Sequence, residues 1–497
     1  MPIILLDKPL TWRDVAAIAE GADLILSEAA KARLIQARAV VDAIVDQGIR
    51  AYGVNTGVGA LCDVVVAPSQ LRQLSRNLLM SHACGIGKRL HAQEVRAIIA
   101  AQINNYAHGR SGVRPEVVEG LRAFLVKNCI PDVPSRGSVG YLTHMAHIAI
   151  VLIGEGSAHC DGESVPGTEA LQRMGRTPLV LEAKEGLSLV NGTPCVTGLA
   201  AVALARTERL LDWADAIAAM TFENLRGQRA AFEAERLSLR VSPGLAAVGI
   251  SLRNWLAGSE LLDASAGLRT QDPMSLRAVP HVHGAARDVF VNTTRIADQE
   301  LASATDNPVV GGSADAPRVF SQAHALGPAL GLAMDSLATA VAQVAAMSER
   351  RLDRLVNPLV SGLPAFLTSD SGVGSGFMIA QYTALSLVNE NRRLAAPASL
   401  DGGITSALQE DHLSHATPAA TKALAILENA EIILGIELLA AAQAYEFQDR
   451  SVRRAEGTDR LYRAVRNAIA PYADDHPLAT DIRAARDLIR RAPPPTV

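Results

Sequence analysis

Aromatic residues are scarce in this sequence, and the shortage bears on the class of fold. Phe, Trp and Tyr together make up 4% of the 497 residues, while apolar residues make up 49% and charged residues 20%. Strands favour aromatic and β-branched side chains, whereas Ala and Leu, which dominate here, favour helices. A β-sandwich is therefore disfavoured, and the composition predicts a large interior of packed helices.

Cysteine is also rare. The five cysteines are odd in number and show no Cys-x-x-Cys spacing: Cys62, Cys84, Cys129, Cys160 and Cys195. A disulfide framework is not indicated, so we expect reduced thiols in a cytoplasmic protein. The histidines lack the paired spacing of metal ligands, and no metal is expected.

An excess of basic residues is missing as well. The formal net charge is −4, and Lys and Arg are scattered rather than clustered, so a nucleic-acid partner is not expected. The apolar run at residues 1–6 is short and is followed by the acidic Asp7, so a signal peptide is not expected. The apolar segment 330–347 contains Asp335 and Gln343, which favours the core of a bundle over a membrane span.

Apolar residues recur three and four positions apart along much of the chain, which predicts helices. These are 12–22, 28–48, 68–80, 91–107, 141–155, 196–222, 243–263, 321–356, 374–396 and 417–446, with a β-like patch at 157–182. Several exceed 20 residues, a length typical of bundles. We expect a mainly α protein with an N-terminal active-site domain (1–195), followed by a central long-helix bundle and C-terminal tail (196–497).

Several polar motifs could carry chemistry, although each alone also has a plain structural interpretation. The glycine-rich stretch 52–59 follows Tyr52, a candidate general base or simply a packing residue at a tight turn. Arg277 could hold a carboxylate through two hydrogen bonds, or be a solvated surface residue. Glu410 lies in a polar cluster, 409–412, that could equally be an exposed helix start.

Taken in order, these motifs strongly resemble the aromatic amino acid ammonia-lyases. The resemblance runs from about residue 10 to 445 and rests on these motifs: Tyr-Gly-x-Asn-Thr-Gly-x-Gly (52–59), Ser-His-Ala-x-Gly-Ile-Gly (81–87), Gly-Ser-Val-Gly (137–140), Leu-x-Asn-Gly-Thr (189–193), Gln-Asp-Pro-x-Ser-Leu-Arg (271–277), Asp-Asn-Pro (306–308), Ser-Glu-Arg-Arg (348–351), Ser-Gly-Phe-Met-Ile-Ala-Gln (375–381) and Gln-Glu-Asp-His (409–412). The pair Ser81 and His82 is similar to the histidine-specific branch. The resemblance implies a carbon–nitrogen lyase with the long-helix fold of the histidine and phenylalanine enzymes, as a homotetramer whose active sites are shared between subunits.

One stretch departs from the family pattern. The family builds a methylidene-imidazolone from an Ala-Ser-Gly triplet after Gly-Ser-Val-Gly, but here Gly140 is followed directly by Tyr141. His144 stands where a Pro is usual, and Met274 where a Tyr is usual. Either the modified triplet is missing from the written sequence, or the gene lacks it; the clustered departures favour true absence and a site with no cofactor.

Absence of the electrophile constrains the chemistry, because a free amine needs covalent activation to leave. A quaternary trimethylammonium departs as neutral trimethylamine, and its release needs only a base, a carboxylate clamp and charge stabilisation. The leading hypothesis is therefore ergothionase-like elimination of trimethylamine from a histidine betaine, ergothioneine or hercynine. The alternatives are an ordinary histidine ammonia-lyase that gives urocanate and ammonia and keeps its methylidene-imidazolone, and an inactive homologue that serves as a binding or assembly partner.

By resemblance, Tyr52 is the candidate base for the β-proton. Glu410, with His82 beside Ser81, is expected to hold the imidazole or thioimidazole ring.

Five further residues complete the predicted site. Arg277 is expected to bind the substrate carboxylate, supported by Asn191 and Gln271. Tyr141, whose aromatic face suits a quaternary cation, and His144 are expected to pack against the trimethylammonium end or to be structural.

Overall fold

The fold is mainly helical, as the sequence predicts, with 60% of the residues in helices. The structure, a computed structural model, describes residues 2–400 and 402–496. The chain forms two compact units, each assembled from three stretches. The first comprises Met1–Ala205, Thr293–Asp335 and Pro397–Thr421; the second comprises Arg206–Asn292, Ser336–Ala396 and Lys422–Val497. The first unit thus adds two later segments to the predicted N-terminal domain.

Strands are short and belong to small separate sheets. They are β1 (Ile3–Leu6), β2 (Asp23–Leu26), β3 (Ile86–Arg89), β4 (Cys129–Pro131), β5 (Pro134–Arg136), β6 (Ser157–Cys160), β7 (Glu163–Pro166), β8 (Val309–Gly312) and β9 (Pro317–Phe320). β1 pairs with β2 in parallel, with Ile3 opposite Asp23. The antiparallel sheets are β3–β5, β4–β6–β7 and β8–β9.

Helices supply most of both units. They are α1 (Trp12–Ala19), α2 (Glu28–Asp46), α3 (Leu71–His82), α4 (Ala92–Ala107), α5 (Pro115–Val126), α6 (Thr143–Leu152), α7 (Gly167–Arg173), α8 (Glu185–Val190), α9 (Pro194–Asn224), α10 (Ala234–Ser238), α11 (Pro243–Trp255), α12 (Glu260–Ala264), α13 (Met274–Arg277), α14 (Val279–Leu301), α15 (Pro328–Val356), α16 (Pro358–Ser361), α17 (Met378–Leu394), α18 (Ala416–Ala444), α19 (Glu456–Ala468) and α20 (Ala479–Arg491).

Capping side chains set where the first helices begin. Thr11 precedes α1, and its Oγ1 accepts from the Asp14 amide at 3.3 Å while Asp14 Oδ2 accepts from the Thr11 amide at 2.8 Å. Ser27 precedes α2, and its Oγ accepts from the Ala30 amide at 3.1 Å. These bonds satisfy amides that the first helical turn leaves unpaired, and each such cap contributes about 1 kcal/mol.

The first unit is organised around α4, which is buried from Glu94 to Ala107. A helix that is buried on all faces needs partners on all sides, and α4 packs against α1, α2 and α5. A second apolar cluster joins α2 to the loop that follows it, through Val41, Ile44, Ala51 and Val54. This cluster anchors the segment that carries Tyr52.

In the second unit, buried charges are compensated by one another. Arg351 and Glu437 are fully buried, with Nε–Oε1 and Nη2–Oε2 distances of 2.6 and 2.8 Å. Ser348 Oγ and Thr221 Oγ1 also donate to Glu437, at 2.5 and 2.8 Å. Removing one partner of such a pair leaves an uncompensated buried charge, which costs about 3–5 kcal/mol.

The cysteines require a correction. Cys129 in β4 and Cys160 in β6 form a disulfide, whereas the sequence predicted only reduced thiols. The two residues are direct partners in the antiparallel register, with their Cα atoms 4.3 Å apart. This cross-strand pairing of residues 31 positions apart has no signature in the spacing. Cys62, Cys84 and Cys195 are free.

Two helical stretches are long and apolar enough to cross a membrane by composition. They are Glu185–Asn224 and Pro328–Val356, and their most apolar windows are 100% and 67% buried within the structure. Such burial is typical of helices in the core of a globular protein, as the sequence predicted for 330–347.

Candidate active site

A cavity of about 1030 Å³ opens in the first unit, where its glycine-rich and polar loops converge. Of the predicted site residues, Tyr52, His82, Tyr141, Asn191 and Glu410 all line it. Other polar side chains of the lining are Arg50, Thr56, Asp63, Asn307, Ser321, Gln322, Thr405, Ser406, Gln409, Asp411 and His412. Residues far apart in sequence therefore meet at one site.

Tyr52 is held by the tight loop that follows α2. Asn55 fastens this loop, because its Oδ1 accepts from the Ala51 amide and its Nδ2 donates to the Ile49 carbonyl, both at 2.9 Å. Gly53 has φ +63°, and a Cβ there would collide with Leu187, so the loop requires glycine at this position. The motif's glycines thus let the backbone pack closely beneath the cavity.

The phenol of Tyr52 is half-buried, and its oxygen accepts from the Gly59 amide at 3.2 Å. Burial, with the neighbouring Glu410 carboxylate, raises the pKa of Tyr52 above its ordinary value, although the Gly59 amide opposes the shift. In this arrangement Tyr52 is a neutral phenol at neutral pH.

His82 and Asn191 stand at the ends of helices that face the cavity. His82 ends α3, with Nδ1 3.0 Å from Ser81 Oγ, and burial lowers the pKa of His82. Asn191 follows α8, and its Nδ2 donates to the Asn307 carbonyl at 2.6 Å while its Oδ1 accepts from the Gly192 amide at 3.0 Å. Ser81 supports His82 but does not itself line the cavity.

Glu410 comes from a loop with unusual backbone conformations. Ser406, Ala407 and Leu408 all have positive φ, between 49° and 75°. The loop is closed by two hydrogen bonds between Thr405 and Glu410, of 2.9 and 3.3 Å, and Ser406 Oγ accepts from the Ala60 amide at 3.1 Å. A run of strained residues persists only when its surroundings hold it, and here the tie reaches the loop of Tyr52.

Three predicted residues lie elsewhere. His144, in α6, is 2% exposed and is absent from the cavity lining, and burial lowers its pKa to about 4. Gln271 and Arg277 belong to the second unit, whereas the side chains that line the cavity belong to the first. With its amide oxygen turned toward the guanidinium, Gln271 accepts from Arg277 Nη2 at 3.0 Å. Their carboxylate-binding role stays a prediction.

Some lining residues escaped the sequence analysis. Arg50 and Asp63 form a rim ion pair of 2.6 Å, and the backbone N–H of Gln322 donates to Asn307 Oδ1 at 2.8 Å. Asn307 belongs to a motif that alone indicates only a turn, but its place in the ordered motif series was a usable signal. Arg50 and Gln322 carried no signal, because only the fold brings them to the cavity.

Comparison with known proteins decides the family. The sequence profile described as "Aromatic amino acid lyase" matches residues 10–467. The chain belongs to this family. It is 43% identical to the histidine ammonia-lyase of Symbiobacterium thermophilum, over 98% of this chain and 97% of that one. Further relatives, 40–42% identical over nearly their full length, are also named histidine ammonia-lyase.

Solved structures share the fold. Histidine ammonia-lyase from Trypanosoma cruzi has a TM-score of 0.91 and 35% identity, and covers 99% of this chain and 93% of its own. Ergothionase from Treponema denticola, solved with desmethyl-ergothioneine sulfonic acid, has a TM-score of 0.90 but 28% identity, with 98% of each chain covered. This chain is thus a carbon–nitrogen lyase with the predicted long-helix fold.

These comparisons correct two predictions. The betaine-lyase hypothesis is wrong, because relatives 40–43% identical are histidine ammonia-lyases while the similarity to ergothionase is distant. The prediction of no cofactor is also wrong, because the comparisons point to enzymes that use a methylidene-imidazolone formed from Ala-Ser-Gly. Both predictions gave too much weight to one local departure and too little to the rest of the chain.

The residues around Gly140 differ from those that form this group. Gly140 is followed directly by Tyr141, so the Ala-Ser-Gly precursor does not stand between them in this sequence. The Gly140 amide donates to Ser138 Oγ at 3.1 Å, and its carbonyl accepts from Thr417 Oγ1 at 3.1 Å. These residues do not fit the group.

The ionisation of Tyr52 provides a test of this geometry. Replacing Glu410→Gln removes a negative neighbour, so the pKa of Tyr52 should fall toward its ordinary value. Ultraviolet difference titration measures it, with Tyr52→Phe in both backgrounds to isolate this tyrosine among the seven. An unchanged titration in Glu410→Gln would show that the two groups are not coupled.

Proposed function

We propose that this chain removes the α-amino group of histidine as ammonia and leaves urocanate. In this elimination a proton leaves Cβ, its electron pair forms the Cα–Cβ double bond, and the amine departs from Cα. The full-length similarity to histidine ammonia-lyases supports the proposal. The single structural observation that carries it is the meeting of Tyr52, His82 and Glu410 at one cavity.

Each of these residues has a distinct role in the proposed reaction. Glu410 offers a hydrogen-bond acceptor, and His82 offers a polar ring edge. Both suit an imidazole, so they favour histidine over an amino acid with an apolar aromatic ring. Tyr52 is the proposed base for the Cβ proton. Since its pKa is raised in the free chain, bound substrate must bring positive charge near the phenol for it to act as a base.

The amine must also be activated before it can leave. A free amine is a poor leaving group, and the methylidene-imidazolone supplies its activation in enzymes that carry it. Gly140 and Tyr141 do not provide the Ala-Ser-Gly precursor of that group. The side chains of the cavity account for ring binding and proton removal. Turnover of histidine is therefore the decisive experiment.

Purified full-length protein given L-histidine should release urocanate, followed by its ultraviolet absorption, together with one ammonia per urocanate. Tyr52→Phe should lower kcat by at least about 100-fold, because it removes the base. Arg318→Lys, a change outside the cavity lining, is the matched control and should retain activity. Failure of histidine to react, with turnover only of a trimethylated histidine betaine, would contradict the proposal.

We further propose that the chain acts as a homotetramer in the cytoplasm. Ile379, Tyr382 and Leu385 lie three residues apart on α17 and are 49–66% exposed, an apolar stripe suited to another subunit. Three of the five cysteines are free, which supports a reducing compartment, although the Cys129–Cys160 disulfide does not.

Sedimentation analysis tests the assembly. The protein should sediment at four times the mass of one chain, and Tyr382→Lys should shift it toward smaller species because a charge would be buried at the interface. Arg450→Ala, which changes an exposed residue of the second unit, should leave the assembly unchanged. A monomer at micromolar concentration would contradict the proposed tetramer.

A further inference from the structure

Tyr141 occupies a fixed place in the cavity wall. Its carbonyl accepts from Ser138 Oγ at 2.9 Å, and the next amide, that of Leu142, donates to the Val190 carbonyl at 3.0 Å. Gly140, with φ +147°, turns the chain immediately before it. The Tyr141 side chain is 7% exposed and lines the cavity. Its backbone is therefore anchored on both sides while its ring faces the site.

The phenol of Tyr141 is hydrogen-bonded to a carboxylate. Its hydroxyl donates a hydrogen bond to Glu410 Oε2, across 269 positions of sequence. Burial, with the Glu410 carboxylate, holds the pKa of Tyr141 well above its ordinary value, so the phenol remains a donor at neutral pH. Within residues 2–400 and 402–496, the structure assigns no hydrogen bond to the other oxygen, Oε1.

We propose that Tyr141 is a positioning residue: it fixes the Glu410 carboxylate so that Oε1 is free to accept the ring N–H of an imidazole substrate. This rests on the proposed function for the choice of substrate, and it adds a residue to that site. Tyr141 touches Glu410 rather than the reacting atoms, so its effect is on ring binding and specificity.

The loop that carries Glu410 explains the need for this contact. Ser406, Ala407 and Leu408 all have positive φ, a conformation that persists only when surrounding contacts hold it. A glutamate at the end of such a loop loses rotamer freedom when it binds a ligand, which costs binding free energy. A donor that fixes the carboxylate beforehand reduces that cost.

A double-mutant cycle tests the proposal. Tyr141→Phe should weaken histidine binding about tenfold, seen as a raised KM with kcat nearly unchanged, because a hydrogen bond to a charged group is lost in ground and transition states alike. In a Glu410→Gln background, Tyr141→Phe should cause little further loss. The preference for histidine over phenylalanine should fall in parallel.

A matched control is available in the second unit. The Tyr462 hydroxyl donates to Glu446 Oε1 at 2.7 Å, the same pairing of phenol and carboxylate outside the cavity. Tyr462→Phe should leave KM and substrate preference unchanged. Thermal midpoints of all variants establish that the proteins are folded, and Phe retains the ring that packs in the wall at position 141.

Urocanate binding, measured by titration calorimetry, separates this proposal from the proposed function. If histidine is not turned over, the proposed function fails, and the same cycle on the Kd of urocanate still decides the role of Tyr141. An increase in Kd for Tyr141→Phe that disappears in the Glu410→Gln background supports it. An unchanged Kd, or losses that add fully in the double variant, overturns it.

Discussion

The site depends on hydrogen bonds that tie separate loops to one another. The Ala60 amide donates to Ser406 Oγ at 3.1 Å, and the Tyr141 hydroxyl donates to Glu410. In the loop that carries Glu410, three consecutive residues from Ser406 have positive φ. A rigid helical scaffold around such loops is a common way to place reactive groups accurately. The ties therefore set the distance from the Glu410 carboxylate to the phenol of Tyr52.

The chain combines the sequence and fold of its family with one local departure. The overall sequence and fold are those of aromatic amino acid lyases, and similarity to histidine ammonia-lyases extends over nearly the whole chain. At one point, Gly140 and Tyr141 replace the familiar surroundings of the electrophile, and Tyr141 turns to Glu410. The features retained around the cavity are those that we propose recognise an imidazole ring and remove a proton.

The sequence predicted the features that follow from periodicity and ordered motifs. Helices such as α2, α4 and α18 were expected close to their observed bounds. The helix α5 was missed, because no helix was predicted between 91–107 and 141–155; it begins at Pro115, and proline is favoured at the first helical turn. The helix α14 was missed as well, because no helix was predicted between 243–263 and 321–356. Arg50, Gln322 and the Cys129–Cys160 pair depend on long-range packing, which a local pattern does not encode.

A crystal structure of the assembled protein with bound urocanate tests the central claim most directly. The account predicts an imidazole nitrogen within hydrogen-bond distance of Glu410 Oε1, the Tyr141 hydroxyl still on Oε2, and the Tyr52 oxygen beside the carbon that was Cβ. An imidazole bound away from Glu410, or a Tyr141 ring turned out of the cavity, would contradict it.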